Sequence, residues 1–73
     1  VEIYKLNISQ KAKFFLYTLQ EVKVLEKTYD QLSDFLSISR SLLPAIIKEL
    51  EGNELIVIER AGGRKANTYR LNF

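Results

Sequence analysis

Apolar positions recur along the chain with two different periods, and the changes of period divide it into elements. Ala12, Phe15, Leu16, Leu19 and Val22 form one stripe at helical spacing, and Ser9 is placed to cap a helix that starts at Gln10. Phe14 and Tyr17 fall off this stripe. They either cover the preceding segment or form a surface for a partner. That segment, residues 1–8, alternates only loosely through Val1, Ile3, Leu6 and Ile8, and reads as an extended lead-in or a short strand. From Glu21 to Lys27 the helical period breaks, and Val24-Leu25 suits a very short strand that pairs with a later hairpin. Thr28-Tyr29-Asp30-Gln31 has the spacing of a capping box, with the Thr hydroxyl on the backbone N–H of Gln31 and the Gln side chain reaching back.

The second helix then turns Leu32, Phe35 and Leu36 inward. Ser37-Ile38-Ser39 is a tight turn, and Ser39 or Ser41 caps a third helix over roughly Arg40 to Glu51 with Leu43, Ile46, Ile47 and Leu50 on its inner face. Gly52-Asn53 supplies residues that tolerate the left-handed conformation at a helix end. Leu55–Arg60 and Asn67–Phe73 are strand-like runs about a turn containing Gly62-Gly63, where positive φ carries no Cβ penalty. The expected order is a possible strand, a helix, a short strand, two helices and a hairpin: an α+β domain. Leu16, Leu19, Leu32, Phe35, Leu36, Leu43, Ile47 and Leu50 are expected in one core.

Composition narrows the chemistry. The 73 residues allow one domain, residues 1–73, and the 47% hydrophobic content is too high for a disordered tail. The chain has no Cys and no His. Thiolate or imidazole zinc sites, disulfides, Cys nucleophiles and His acid–base catalysis are therefore set aside, and neither metal nor cofactor is expected. Glu26, Asp30 and Asp34 lie around the start of the second helix and on its polar face, where solvation and the helix dipole explain them. Gly62-Gly63 opens no helix, so it is no phosphate-binding loop. A free-standing enzyme is not expected. No apolar run approaches the roughly 20 residues of a membrane span, and no signal-peptide pattern is present. The absence of cysteine fits a cytoplasmic protein. The sequence begins at Val1 and contains no Met, so a domain of a larger protein is expected.

The net charge is only +2, and its distribution matters more. From Leu55 onward Arg60, Arg64, Lys65 and Arg70 face a single acid, Glu59, whereas the cations from Lys5 to Lys48 are balanced by eight acids. Arg64 and Lys65 adjoin the two glycines, so the hairpin tip is basic. Such a projection suits a phosphate backbone or a narrow minor groove.

Residues 28–51, TYDQLSDFLSISRSLLPAIIKELE, resemble a helix-turn-helix at Leu32, Leu36, Ile38-Ser39-Arg40, Leu43, Ile47, Lys48, Leu50 and Glu51. With LIVIER…NTYRL after them and Lys11-Ala12-Lys13 opening the first helix, residues 9–71 are similar to winged-helix domains of bacterial transcription regulators and of phage and plasmid replication proteins. The resemblance implies a three-helix bundle with a C-terminal hairpin wing, acting as a double-stranded DNA-binding module of a transcription regulator or replication initiator. It places Thr28 and Tyr29 near a phosphate, and the recognition helix, about 40–51, in the major groove. Ser39, Arg40, Ser41, Leu42, Pro44, Ala45 and Lys48 then face DNA. The wing, 60–70, brings Arg60, Arg64, Lys65, Asn67 and Arg70 to the backbone or minor groove. One such domain covers one half-site, so a second copy or other domains of a parent protein are implied as partners. Any enzymatic activity of a parent, such as a replication helicase or primase, would lie in another domain.

The chain also departs from the family pattern. Positions 44 and 45, often polar, are Pro and Ala. Pro44 lacks the N–H that would bond the carbonyl of Arg40, so the third helix starts late, near Ser41, or bends there. Leu42, Pro44 and Ala45 make an apolar patch that meets either thymine methyls or a protein, and a winged-helix protein-interaction module is the second reading. Binding of RNA or single strands is a third. Arg40 also has the plain reading of a solvated or salt-bridging residue, and Lys48 that of a partner to Asp34 or Glu51. Glu54 stands where the family often has Gly, a task left to Gly52 or Asn53.

Overall fold

The computed structural model of the chain describes residues 2–62 and 65–73. These form three helices and a three-stranded antiparallel sheet, an α+β arrangement. The helices are α1 (Gln10–Val22), α2 (Tyr29–Leu36) and α3 (Leu43–Gly52), and the strands are β1 (Val24–Lys27), β2 (Ile56–Glu59) and β3 (Asn67–Leu71). β3 is central, in the order β1-β3-β2, so the short strand after α1 does pair with the hairpin.

Alternation sorts the sheet into two faces. Leu25, Tyr69 and Ile58 are in register on the inner face, with Leu25 and Tyr69 buried. Val24, Arg70 and Val57 are in register on the outer face, and both valines are exposed. The helices lie over the inner face. Phe15 of α1 meets Tyr69 edge-on, at 5.8 Å between ring centroids, the arrangement that a ring quadrupole favours. Burial of Leu16, Leu19, Leu32, Leu36, Leu43, Ile47 and Leu50 brings all three helices into one core, which Ile3, Ile38, Ile46 and Ile56 extend. Each fully buried leucine stabilises the fold by about 1.5–3 kcal/mol.

The helix starts follow local chemistry. The Ser9 hydroxyl accepts from the Ala12 N–H, and Thr28 and Gln31 form both bonds of the expected capping box. α3 is different. Arg40–Leu42 form a 3₁₀ turn and the α-helix begins only at Leu43, later than the expected Arg40 or Ser41. Pro44 is the reason. It has no N–H for the Arg40 carbonyl, and that carbonyl instead accepts from Leu43, one residue earlier. Neither Ser39 nor Ser41 caps this helix; their hydroxyls lie 3.1 Å from each other.

Several expectations are corrected. Residues Ile3–Lys5 form a 3₁₀ turn rather than a strand, anchored by buried Ile3. Phe14 and Tyr17 are about half exposed and lie outside the core. Val22 is also exposed, in the last turn of α1 beyond Leu19. Phe35 is 48% exposed. At 3.6 residues per turn it points about 80° away from the direction midway between Leu32 and Leu36. There its ring packs under the Lys27 ammonium, 4.7 Å from the centroid.

Neither Gly52 nor Asn53 takes the left-handed position after α3. Glu54 does, at φ 57. Its N–H donates to the Glu51 carbonyl and that of Leu55 to the Leu50 carbonyl, closing a Schellman motif on a non-glycine residue. The Asn72 side chain donates to the Glu54 carbonyl and fixes the same corner to the end of β3. α2 ends alike, with Ser37 at φ 55 and the Ile38 N–H on the Ser33 carbonyl.

Candidate nucleic-acid interface

The start of α2, the turn before α3 and the β2–β3 hairpin enclose an open groove of ≈ 660 Å³. Its helical wall is Thr28, Tyr29, Asp30 and Arg40, and its hairpin wall is Arg60, Gly62, Lys65 and Asn67. Among the described residues three cations therefore face one concavity from two separate elements, with Asp30 among them.

Each wall is set by local structure. The capping box fixes the first turn of α2, so Tyr29 and Asp30 project at its N-terminal end. The Ser37 corner and the 3₁₀ turn carry Arg40 back beside them. Asp30 Oδ1 lies 2.6 Å from Arg40 Nε, and the guanidinium sits 5.9 Å from the Tyr29 ring centroid. Both charged side chains remain largely exposed. On the opposite wall Gly62 takes φ 77, as expected of a glycine at the hairpin tip, and the Lys65 N–H donates to its carbonyl. Asn67 ties the base of this wall. Its carbonyl oxygen accepts from the Ala61 N–H and its amide donates to the Tyr69 hydroxyl. Burial pushes that hydroxyl above its ordinary pKa.

Arg60 reaches from the end of β2 to α3, where Nη1 and Nη2 donate to the two Glu51 carboxylate oxygens at 3.0 and 3.1 Å. These bonds hold the Glu51 carboxyl below the ordinary glutamate range. Arg70 lies outside the groove, on the outer sheet face, hydrogen-bonded to Glu59. Its position one residue from inward-facing Tyr69 accounts for this. Among the described residues Lys48 makes no ion pair, so neither expected partner, Asp34 nor Glu51, is engaged with it.

Of the residues singled out from the sequence, Thr28, Tyr29, Arg40, Arg60, Lys65 and Asn67 come together in the groove. Ser39, Ser41, Leu42, Pro44, Ala45 and Lys48 are exposed and do not line it. Arg64 lies outside the described residues. The sequence reading missed Asp30 as a groove residue and Glu51 as the partner of Arg60. For Asp30 the capping box was a usable signal, since it fixes which side chains stand at the mouth of α2.

Among the described residues no group of His, Cys, Asp or Glu is gathered to hold a metal, and no helix is long and apolar enough to cross a membrane. Compared with known proteins, the chain matches no family model, no curated protein and no solved structure.

Proposed function

We propose that the chain is a winged-helix domain that binds double-stranded DNA, with α3 as recognition helix and the β2–β3 hairpin as wing. The observation that carries this reading is the convergence of Arg40, from the turn before α3, and Lys65, from the hairpin tip, on one groove beside the N-terminus of α2. A duplex backbone is the extended anion that cations on two elements can engage together. The helix N-terminus adds partial positive charge, reduced here by Asp30 in the first turn. Exposed Ser41 and Leu42 of the 3₁₀ turn and Pro44 and Ala45 of α3 then form the surface presented to the major groove. They offer few donors, so DNA shape carries much of the specificity. A transcription regulator or a replication initiator is the kind of parent in which such a module serves.

Exposure of Leu42 together with Pro44 and Ala45 favours a second reading, a protein-docking surface at the start of the same helix. One set of measurements separates the two. In the DNA reading the protein binds random duplex with a steep salt dependence, and replacing Arg64 and Lys65 by Ala lowers the slope by about 1–2 units. Arg40→Ala then costs about 1–3 kcal/mol on the best duplex selected from a random pool. Salt-independent or absent duplex binding overturns the DNA reading. Loss of partner capture by Leu42→Asp, with duplex binding indifferent to Arg40→Ala, supports protein docking instead.

A further inference from the structure

We propose that Asp30 is a positioning residue that presents the Arg40 fork for base recognition, while Glu51 withdraws Arg60 from DNA. The inference rests on the DNA reading and divides the labour between Arg40 and Arg60. The guanidinium carries one N–H at Nε and four on the terminal nitrogens. Asp30 approaches Arg40 at Nε, the edge away from the fork. Among the described residues no acceptor is hydrogen-bonded to the Arg40 terminal nitrogens. These are the two atoms that engage guanine O6 and N7 together. The Tyr29 ring lies 5.9 Å from the same guanidinium and limits its swing.

Arg60 is held the opposite way. Glu51 takes both terminal nitrogens in a fork-to-fork pair, the strongest arrangement of these groups. A base or phosphate would have to displace Glu51 to use that edge. The hairpin therefore contributes Lys65 to DNA contact, and Arg60 joins the hairpin to α3.

Asp30 has a second consequence, because it puts a negative charge on the groove lining. It repels phosphate on any sequence, while through Arg40 it favours one base pair. Removing it should raise affinity for random duplex and lower discrimination.

The test measures binding of the selected duplex and of random duplex to the whole chain at one salt concentration, with thermal melts to verify folding. Asp30→Ala is expected to lower the ratio of the two affinities about two- to fivefold, the range an exposed ion pair supplies, while random-duplex affinity rises. Asp30→Asn keeps the shape and removes the charge, so it should raise random-duplex affinity and lower the ratio as Asp30→Ala does, because the contact is an ion pair. In an Arg40→Ala background Asp30→Ala should leave the ratio unchanged. Arg60→Ala, at a groove residue, should leave the ratio near wild type. A fall of about one unit in the salt slope would show that Arg60 meets phosphate and overturn its withdrawal by Glu51. An Asp30→Ala ratio equal to wild type overturns the assignment alone, as does a loss that persists without Arg40. A wild-type chain that binds no duplex overturns the DNA reading and this assignment with it.

Discussion

The two walls of the groove carry the same kinds of groups and are built in different ways. On the helical wall, Arg40 and Asp30 sit on turns whose neighbours Leu32, Leu36, Ile38 and Leu43 are all in the core. On the hairpin wall, Arg60 and Lys65 lie beyond the paired residues of β2 and β3. They are steadied by surface contacts, the Arg60–Glu51 fork and the Asn67 bonds to Ala61 and Tyr69. The helical wall thus moves only if the core moves. The hairpin wall can change its contacts while the fold stays intact. A carboxylate therefore has a different effect on each side. Asp30 steadies an arginine whose backbone is already fixed, and Glu51 fixes the backbone itself by tying a strand end to α3.

The largest effect follows from removing core support. Leu36→Ala and Leu50→Ala each open a cavity among fully or nearly fully buried side chains, which costs about 2–5 kcal/mol. That is a large part of the stability of a domain this small. Urea melts should show both variants far below wild type, with Leu36→Ala loosening the helical wall directly. A change of only a few tenths of a kcal/mol for either would mean that this wall does not depend on the core.

How much of this was legible in the sequence depended on sequence separation. The Ser9 cap and the Thr28–Gln31 box are bonds between residues three apart, and both were read from spacing alone. The helical stripes placed every expected core residue except Phe35. An eight-residue helix is too short for its period to separate the centre of the buried face from its flank. The pairing of β1 with β3 was anticipated because Val24-Leu25 broke the helical period just where a strand could begin. The groove pairs were not legible as pairs. Arg40–Asp30 and Arg60–Glu51 join different elements, and only the folded chain brings them within reach. At Glu54 propensity misled, because glycine was expected in the left-handed position. Gly52 is instead helical, and a Cβ there would meet nothing within 4 Å. The Asn72 bond and the Leu55 N–H hold Glu54 in place despite its side chain.

Those corners sharpen the comparison with a smaller effect, because each wall hangs from a non-glycine residue in the left-handed region. Ser37 leads to the Arg40 turn and Glu54 to the hairpin. Glycine relieves the Cβ contact with the following carbonyl, partly offset by its greater freedom in the unfolded chain. Ser37→Gly and Glu54→Gly should each stabilise the domain by about 0.5–1 kcal/mol. Chemical melts of the two single variants give the sign and size for each wall. Destabilisation by Glu54→Gly would show that its side chain, and not only its backbone, secures the hairpin corner.

The smallest effect concerns the clamp on the hairpin wall and appears as a pH dependence. Hydrogen bonding to Arg60 lowers the Glu51 carboxyl from its ordinary value of 4.5 in the folded chain. A carboxyl depressed by folding stabilises the fold above its unfolded value, and that contribution is lost as pH falls through the folded value. Glu51→Gln removes the charge and the titration together. At neutral pH the variant should melt slightly below wild type, since both members of the pair are well exposed and solvent screens them. Below pH 4.5 the two melting curves should converge as wild-type Glu51 takes up its proton. Subtracting one curve from the other cancels Glu2, whose carboxyl is likewise lowered by Lys5 and which titrates equally in both proteins. Asp30→Asn supplies the matching measurement on the helical wall. Asp30 also lies in the first turn of α2, so its loss should lower the stability read from the melt by the helix-dipole contribution of about 0.3–1 kcal/mol, and in the DNA reading it should lower duplex discrimination as well. The Arg40 pair itself is isolated by repeating Asp30→Asn in an Arg40→Ala background, where the dipole contribution remains and the ion pair does not. A melt difference between the two backgrounds larger than that for Glu51→Gln would reverse the assignment of which pair steadies the fold and which prepares the groove.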